Sequence, residues 1–328
     1  MIEDVASIAG VVLVVTTPGD ATAEAVEAQL YAMATPTARI DLGDFPNQLR
    51  IAVRHSDTGW RVRLWTEDVC IDVDRIRSVY YRRPTRFRMP AGLSDGDTAF
   101  AMAEARLGFG GALATLHALW VNHPAKVAVA EYKPVQLMVA AESGMVVPRT
   151  IITNDHDELR AFADALDGPV ICKAFSSLVL NEGPTAQTVY TTFIDPQTID
   201  PQQLAATAHL VQEWVPKAFE VRVTMVGRTP YAAAIHAGSD AGHVDWRSDY
   251  GSLTYESIDT PPDVAKSMCR YLDVFELNYG AFDFVVEPDG AWRFLECNPN
   301  GQWLWLEHET GLPIARALAT LLTGAEPY

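Results

Sequence analysis

Apolar and polar positions along this chain fall into blocks that switch between the two-residue period of strands and the three-to-four-residue period of helices. A continuous apolar run over 10–16 predicts a buried first strand, and "TPGD" then turns into an amphipathic helix from about Ala21 to Ala34. Short strands are expected near 38–41, 49–55 and 60–66, the last two as a hairpin. "SVYYRRP" ends another strand, closed by Pro84, and "DTAFAMAEARLGFGGALATLHALW" reads as one long helix. A loop, a helix stopped at Gly144 and a strand come next, then helix 155–166 and strand 169–174. The polar stretch "FSSLVLNEGPT" reads as a loop leading to strand 188–193. From about Leu204 the pattern turns strand-rich, through "AHLVQEWV", "FEVRVTMVG" and "PYAAAIHA". A Gly/Asp-rich loop over 238–251 precedes helix 261–276, strands 280–287 and 291–297, and a terminal helix near 306–322. The chain therefore reads as α/β with α+β lobes, in three units at 1–120, 121–203 and 204–328.

The last two strands meet at "EPDGA". A two-residue turn at Asp289–Gly290 places Asp283 opposite Glu296 and collects Phe282, Phe284, Val286, Leu295 and Cys297 on the other face, interrupted only by Arg293. A three-residue Pro-Asp-Gly loop puts Glu296 opposite Phe282 and scatters the apolar set. Burial specifies register, so the first pairing is the expectation. One face then gathers Asp283, Glu296 and Asn298, hard oxygen donors with no basic residue among them. Such a set repels unless a cation is present, and oxygen-only ligands suit Mg²⁺ or Mn²⁺ rather than zinc. A solvated hairpin face fits the same three residues. Cys297 points into the apolar layer, where it is inert.

The formal charge of −17 argues against nucleic acid or an anionic membrane as partner. Four cysteines without a CxxC pair fit a reducing cytoplasm, and the apolar start is too short to span a bilayer. A cytoplasmic protein is expected. Only five lysines occur, while Arg75, Arg77, Arg82, Arg83, Arg86 and Arg88 crowd into "RIRSVYYRRPTRFR", a positive patch suited to carboxylates or phosphates. Lys133 opens a helix and Lys173 ends a strand, places where lysine neutralises phosphate, although an ordinary surface lysine fits either one alone.

Taken in order, Lys133 in "AEYKPVQL", Lys173 in "PVICKA", "QEWV" with Glu220 and Arg222, and "GAFDF…FLECNPNGQW" resemble the ATP-grasp superfamily. The resemblance implies an N-terminal α/β (pre-ATP-grasp) domain and two lobes that clamp ATP. It assigns Lys133 and Lys173 to the phosphates, the backbone of Glu213–Val215 to adenine and Glu220 to ribose. Asp283, Glu296 and Asn298 would hold one or two Mg²⁺ ions, with Mn²⁺ as the alternative. Arg222 and Arg247 would steady the transferred and acyl phosphates. Arg82 and Arg83 would face the substrate carboxylate or bridge domains. The loop after Lys173 has only Gly183, a departure from the glycine-rich phosphate cover of the superfamily that bears on its closure over ATP.

"YYRRP", "VNHPAKVAVAEYK", "VDWR" and "LECNPNGQWLWLEHETGLPIARALATLL" are similar to the microviridin-type, or graspetide, maturases of ribosomal peptides, and "TTPGDATAEAVEAQL" resembles their actinobacterial branch. That likeness implies an ADP-forming ligase acting on a precursor peptide of leader and core. It would activate Asp or Glu side chains as acyl phosphates and close macrolactones or macrolactams. A homodimer fits the scaffold. Alternatives are a ligase that adds an amino acid to a protein or small-molecule carboxylate, and an ATP-binding protein without chemistry. His236 and His243 are expected to be spectators, and Trp303 and Trp305 to anchor the terminal helix.

Overall fold

The computed structural model describes residues 9–324 apart from 58, 68, 176–178, 183, 184 and 189. β1 (Val11–Val15) is buried along its length, and α1 (Ala21–Ala32) starts at Asp20, whose carboxylate accepts the Thr22 and Ala23 N–H groups. β2 (Thr37–Ile40), β3 (Arg50–Ser56), β4 (Gly59–Trp65), β5 (Cys70–Asp72), β6 (Ile76–Tyr81), α2 (Asp95–Ala114) and β7 (Leu119–Val121) complete the first unit. A parallel sheet runs β2-β1-β6-β7, and β3-β4-β5 form a separate antiparallel one. The hairpin predicted over 49–66 is therefore present. The long helix is shorter than predicted: it ends at Ala114, where Thr115 turns its hydroxyl onto the Ala112 carbonyl at 2.7 Å. Beyond it Trp120 and Val121 bury themselves by adding a strand beside β6.

Two helices, α3 (Pro124–Ala130) and α4 (Lys133–Glu142), stand where one was expected. β8 (Thr150–Thr153), α5 (His156–Asp164) and β9 (Val170–Lys173) follow as the periodicity predicts. The expected polar loop is instead a strand pair, β10 (Val179–Glu182) with β11 (Thr185–Thr188), in antiparallel register. Gly183 and the predicted closure of this segment lie outside the described residues. β12 (Thr192–Ile194), α6 (Pro201–Leu204) and β13 (His209–Glu213) complete the second unit, whose sheet runs β12-β9-β13-β8.

β14 (Phe219–Val226) and β15 (Thr229–Ala237) lead into α7 (Asp240–Val244) and two tight helical turns in place of the predicted open loop. β16 (Leu253–Ile258), not foreseen from the pattern, pairs with β15. After α8 (Pro262–Phe275) come β17 (Tyr279–Val286) and β18 (Trp292–Asn298), giving a five-stranded antiparallel sheet β16-β15-β14-β17-β18. Asp283 pairs with Glu296, as the register argument requires, but Phe284 pairs with Phe294. A bulge absorbs the difference, so each of the two competing registers holds on its own side of Leu295. Phe294 joins Phe282, Phe284 and Cys297 in the core against Met268 and Tyr271, and Leu295 leaves the apolar face where it was expected.

The terminal helix is two, α9 (Leu304–Thr310) and α10 (Ile314–Thr323), divided by Gly311 at φ +72° and Pro313. Leu318 and Leu322 of α10 pack on Val26 and Leu30 of α1, so the first and last units share a core that encloses Trp303. Trp305 does not join it, packing instead on Trp246 and Tyr255. Among the described residues no helix is long and apolar enough to cross a membrane.

Candidate active site

The inner face of the five-stranded sheet and the central sheet enclose a cleft whose lining joins apolar Pro148, Ile171, Val215, Val285 and Leu295 to charged Lys173, Glu220, Arg247, Asp283 and Glu296. The bulge in β18 accounts for Leu295, which it brings to the cleft together with Glu296. At the charged centre, Arg222 of β14 lies opposite Asp283 of β17 and donates Nη2 to Oδ2 at 2.9 Å. Asn298 Nδ2 donates to Glu296 Oε1 at 3.0 Å and reaches Asp283 Oδ2 at 3.5 Å. Lys133 Nζ pairs with Glu296 Oε2. The three oxygen-bearing residues thus cluster as the register predicts. The basic groups missing from their own strands arrive from α4 and β14.

Position in this cluster is tightly set. Gln136, one turn after Lys133, donates to the Cys297 carbonyl at 2.8 Å and accepts the Cys297 N–H at 3.1 Å, fixing α4 to β18. Gly301 sits where a Cβ would come within 2.4 Å of Ala281 Cβ, and its carbonyl accepts the Tyr279 hydroxyl at 2.7 Å. Burial pushes Cys297 up, leaving an unreactive thiol.

Electrostatics divide the cations by role. Burial pushes Glu296 up, but Lys133 and Lys173 outweigh it and hold this carboxyl well below the usual range. Burial wins at Asp283, whose pKa is raised despite Arg222. Lys173 makes no ion pair among the described residues, and burial, with Lys133 and Arg247 nearby, depresses its pKa against the pull of Glu296. A half-buried ammonium without a partner calls for an anion. Lys133, Arg149, Lys173, Lys217, Arg222 and Arg247 outnumber the carboxylates of Glu213, Glu220, Asp245, Asp283 and Glu296 in a chain that is otherwise strongly acidic.

Elsewhere in the cleft, the Glu213 carboxylate is taken by Arg149, through the backbone N–H at 2.9 Å and Nε at 2.7 Å. The Glu213 and Trp214 N–H groups bond Arg149 O and Pro169 O, whereas the Val215 N–H makes no hydrogen bond among the described residues and can meet a ligand acceptor. Glu220 pairs with Lys217, and burial raises its pKa. Asp245 clamps Arg247 at 2.9 and 2.8 Å and accepts the Thr191 N–H at 3.1 Å, tying the turn after α7 to the central unit. Trp246 lies against Arg222, 5.7 Å from ring centre to guanidinium.

Arg82 and Arg83 are outside this cleft. Arg82 is 4% exposed and spent on Asp20, Gly301 O and Gln302 Oε1, which makes it a bridge between the first and last units. Arg83 lines a separate cavity. Sequence reasoning missed Gln136, Lys217 and Asp245. Asp245 stands two residues before Arg247, the spacing of an Asx turn, so "VDWR" held a signal for it; Lys217 and Gln136 gave none.

Two carboxylates and an amide, which would present its oxygen in place of Nδ2 after a half-turn of the carboxamide, fit a hard divalent cation, with no sulfur or imidazole among them. Among the described residues no group of three His, Cys, Asp or Glu could hold a metal, so this mixed set is the candidate.

The MvdD pre-ATP grasp domain family matches residues 11–128. No curated protein matches the sequence. Among solved structures, the chain is similar to a RiPP-associated ATP-grasp ligase of Chryseobacterium gregarium, solved with ADP and a leader and core peptide, at TM-score 0.89 and 24% identity over 97% of this chain and 98% of that one. It is also similar to the macrocyclase MdnC of Microcystis aeruginosa MRC, bound to precursor peptide MdnA, at TM-score 0.82 and 27% identity over 96% and 100%. The macrocyclase MdnB of the same organism aligns at TM-score 0.79 and 25% identity over 95% and 99%. The chain has the ATP-grasp fold, and its residues 11–128 form a pre-ATP-grasp domain of the MvdD type.

Proposed function

We propose that the protein is an ATP-dependent, ADP-forming ligase that cross-links a ribosomally made precursor peptide through its Asp or Glu side chains. The observation that carries this is the unpartnered Lys173 ammonium facing the cleft that also holds Asp283, Glu296 and Asn298. Likeness to MdnC, solved with a precursor peptide, supports that substrate class.

In this reading the central and C-terminal units clamp ATP. Adenine lies against Ile171, Val215 and Leu295 with the Val215 N–H on a ring nitrogen, and Glu220 takes the ribose. Lys173 binds phosphate, and Lys133 exchanges Glu296 for phosphate when nucleotide enters. Mg²⁺ held by Asp283, Glu296 and Asn298 would neutralise triphosphate charge. A peptide carboxylate oxygen attacks the γ-phosphorus, the bond to the β–γ bridging oxygen breaks, and ADP leaves an acyl phosphate. A hydroxyl or amine of the same peptide then attacks the carbonyl, expels inorganic phosphate and yields a macrolactone or macrolactam with loss of one proton. Arg222 and Arg247 stabilise the transferred phosphate; positioning and charge neutralisation are the protein's contribution.

The test is ADP release with purified protein, Mg·ATP and candidate precursor peptides, followed by mass spectrometry. Loss of one water mass per ADP formed is expected. Turnover with free amino acids and none with peptides would overturn the reading.

A further inference from the structure

A second cavity, about 400 Å³ in volume, opens between the β1–α1 turn and the start of α9. Thr17, Asp20 and Arg83 line one side, and Gln302, Leu304 and Trp305 the other. It shares no lining residue with the nucleotide cleft, yet two links join them. Arg222, held on Asp283, also donates to the Gln302 carbonyl at 3.3 Å. Trp305 packs 5.4 Å from Trp246, which itself lies on Arg222 and lines the cleft. The cavity is thus one side-chain layer from the reacting centre.

Asp20 and Gln302 on its walls are already engaged. Asp20 accepts from Thr16 Oγ1 at 2.7 Å and from two amides, and contacts Arg82 at 3.5 Å. Gln302 Oε1 accepts from Thr22 Oγ1 at 2.8 Å and Arg82 at 2.9 Å. Arg83 makes no ion pair and no side-chain hydrogen bond among the described residues. Partial burial and the neighbouring Arg82 depress its pKa, the mark of a cation beside a like charge that an anion would relieve. A free guanidinium next to an indole suits a carboxylate on a polypeptide, the fork taking the charge and the ring the adjoining chain.

We propose that this cavity seats a carboxylate of the peptide substrate other than the one being phosphorylated, with Arg83 as counter-ion and Trp305 beneath the neighbouring residues. The inference rests on the peptide-ligase reading of the cleft. Arg82, Gln302 and the Trp246–Trp305 contact stand between Arg83 and the phosphate-binding groups, so an anion on Arg83 is not the reacting one. The enzyme then reads pairs of acidic residues, one in each site.

Quenching of tryptophan fluorescence in the presence of Mg·ADP tests this with synthetic peptides. One carries paired glutamates, one has glutamine in place of the second, and one has lysine there. Wild type is expected to bind the paired-glutamate peptide about tenfold more tightly than the others. Arg83→Glu should reverse the order in favour of the lysine peptide, with an unchanged thermal melt as the folding control. Equal affinities in both proteins, or no binding of any peptide, overturn the subsite. ADP release by wild type is followed in parallel with the same peptides. Release without discrimination sinks the subsite and spares the ligase; discrimination without release sinks the ligase and leaves the subsite standing.

Discussion

Lys133 at the start of α4 and Glu296 on β18 neutralise each other in an ion pair, which the proposed function reads as a phosphate-binding cation held on a metal-binding carboxylate. In that reading, removing the carboxylate takes away one cation ligand and also frees Lys133. Glu296→Gln should therefore lower kcat/KM for ATP by about a hundredfold to a thousandfold and shift the Mg²⁺ optimum upward. A Mg²⁺ titration of ADP release checks it; a variant within about fivefold of wild type would remove Glu296 from the metal set.

Lys173 has its pKa lowered from an ordinary 10.5 because burial desolvates the charged form and it makes no ion pair among the described residues. Lys173→Met should stabilise the nucleotide-free fold, on the order of 1 kcal/mol, while weakening Mg·ATP binding at least about tenfold. The sign with pH follows from a base whose folded pKa is depressed. Its penalty is fully present below the folded pKa and is relieved as pH rises towards 10.5. The difference in thermal midpoint between variant and wild type should shrink from about pH 7 to about pH 10. A constant difference across that range refutes the desolvation account.

Legibility in the sequence followed the length of the pattern. The opening strand, α1 and the β3–β4 hairpin were readable because their periodicities are long and bounded by turn residues. Asp283 facing Glu296 followed from burial alone. Leu295 was misplaced because Phe294 and Leu295 are adjacent and both apolar, so the one-residue phase shift of the bulge can assign either of them to the core. Leu119–Val121 was absorbed into α2 because a short apolar run has no period of its own; tertiary pairing with β6 decides it. The partners that set the charges were least legible. Arg82 on Gln302 and Asp245 on Thr191 span 220 and 54 positions, and nothing local encodes them.

Asp245 holds Arg247 by two side-chain bonds while joining the turn after α7 to the central unit. Lysine offers a point charge and cannot reproduce that fork. If its guanidinium acts on the transferred phosphate, as proposed, Arg247→Lys should reduce kcat for peptide-dependent ADP release about tenfold or more and leave KM for ATP within about twofold. Equal losses in kcat and ATP affinity would assign Arg247 to ground-state nucleotide binding instead. Steady-state kinetics at varied ATP separate the two.

Gly301 tests how closely the strand end must approach its neighbour. An added Cβ would meet Ala281 Cβ at 2.4 Å and Asn298 Cβ at 3.1 Å, contacts too short for the segment to stay in place. Tyr279 and Arg82 both grip the Gly301 carbonyl, at 2.7 and 3.4 Å, so it cannot retreat without loosening them. Displacement would carry Asn298 away from Glu296 and Asp283. Gly301→Ala should cost about 1–3 kcal/mol in urea unfolding and raise the Mg²⁺ concentration needed for half-maximal ADP release severalfold. Gly168→Ala is the control, since nothing lies within 4 Å of where its added Cβ would stand, and it should change stability by less than about 0.5 kcal/mol. If both variants keep wild-type stability and Mg²⁺ dependence, the close approach at Ala281 does not hold Asn298 in the cation site.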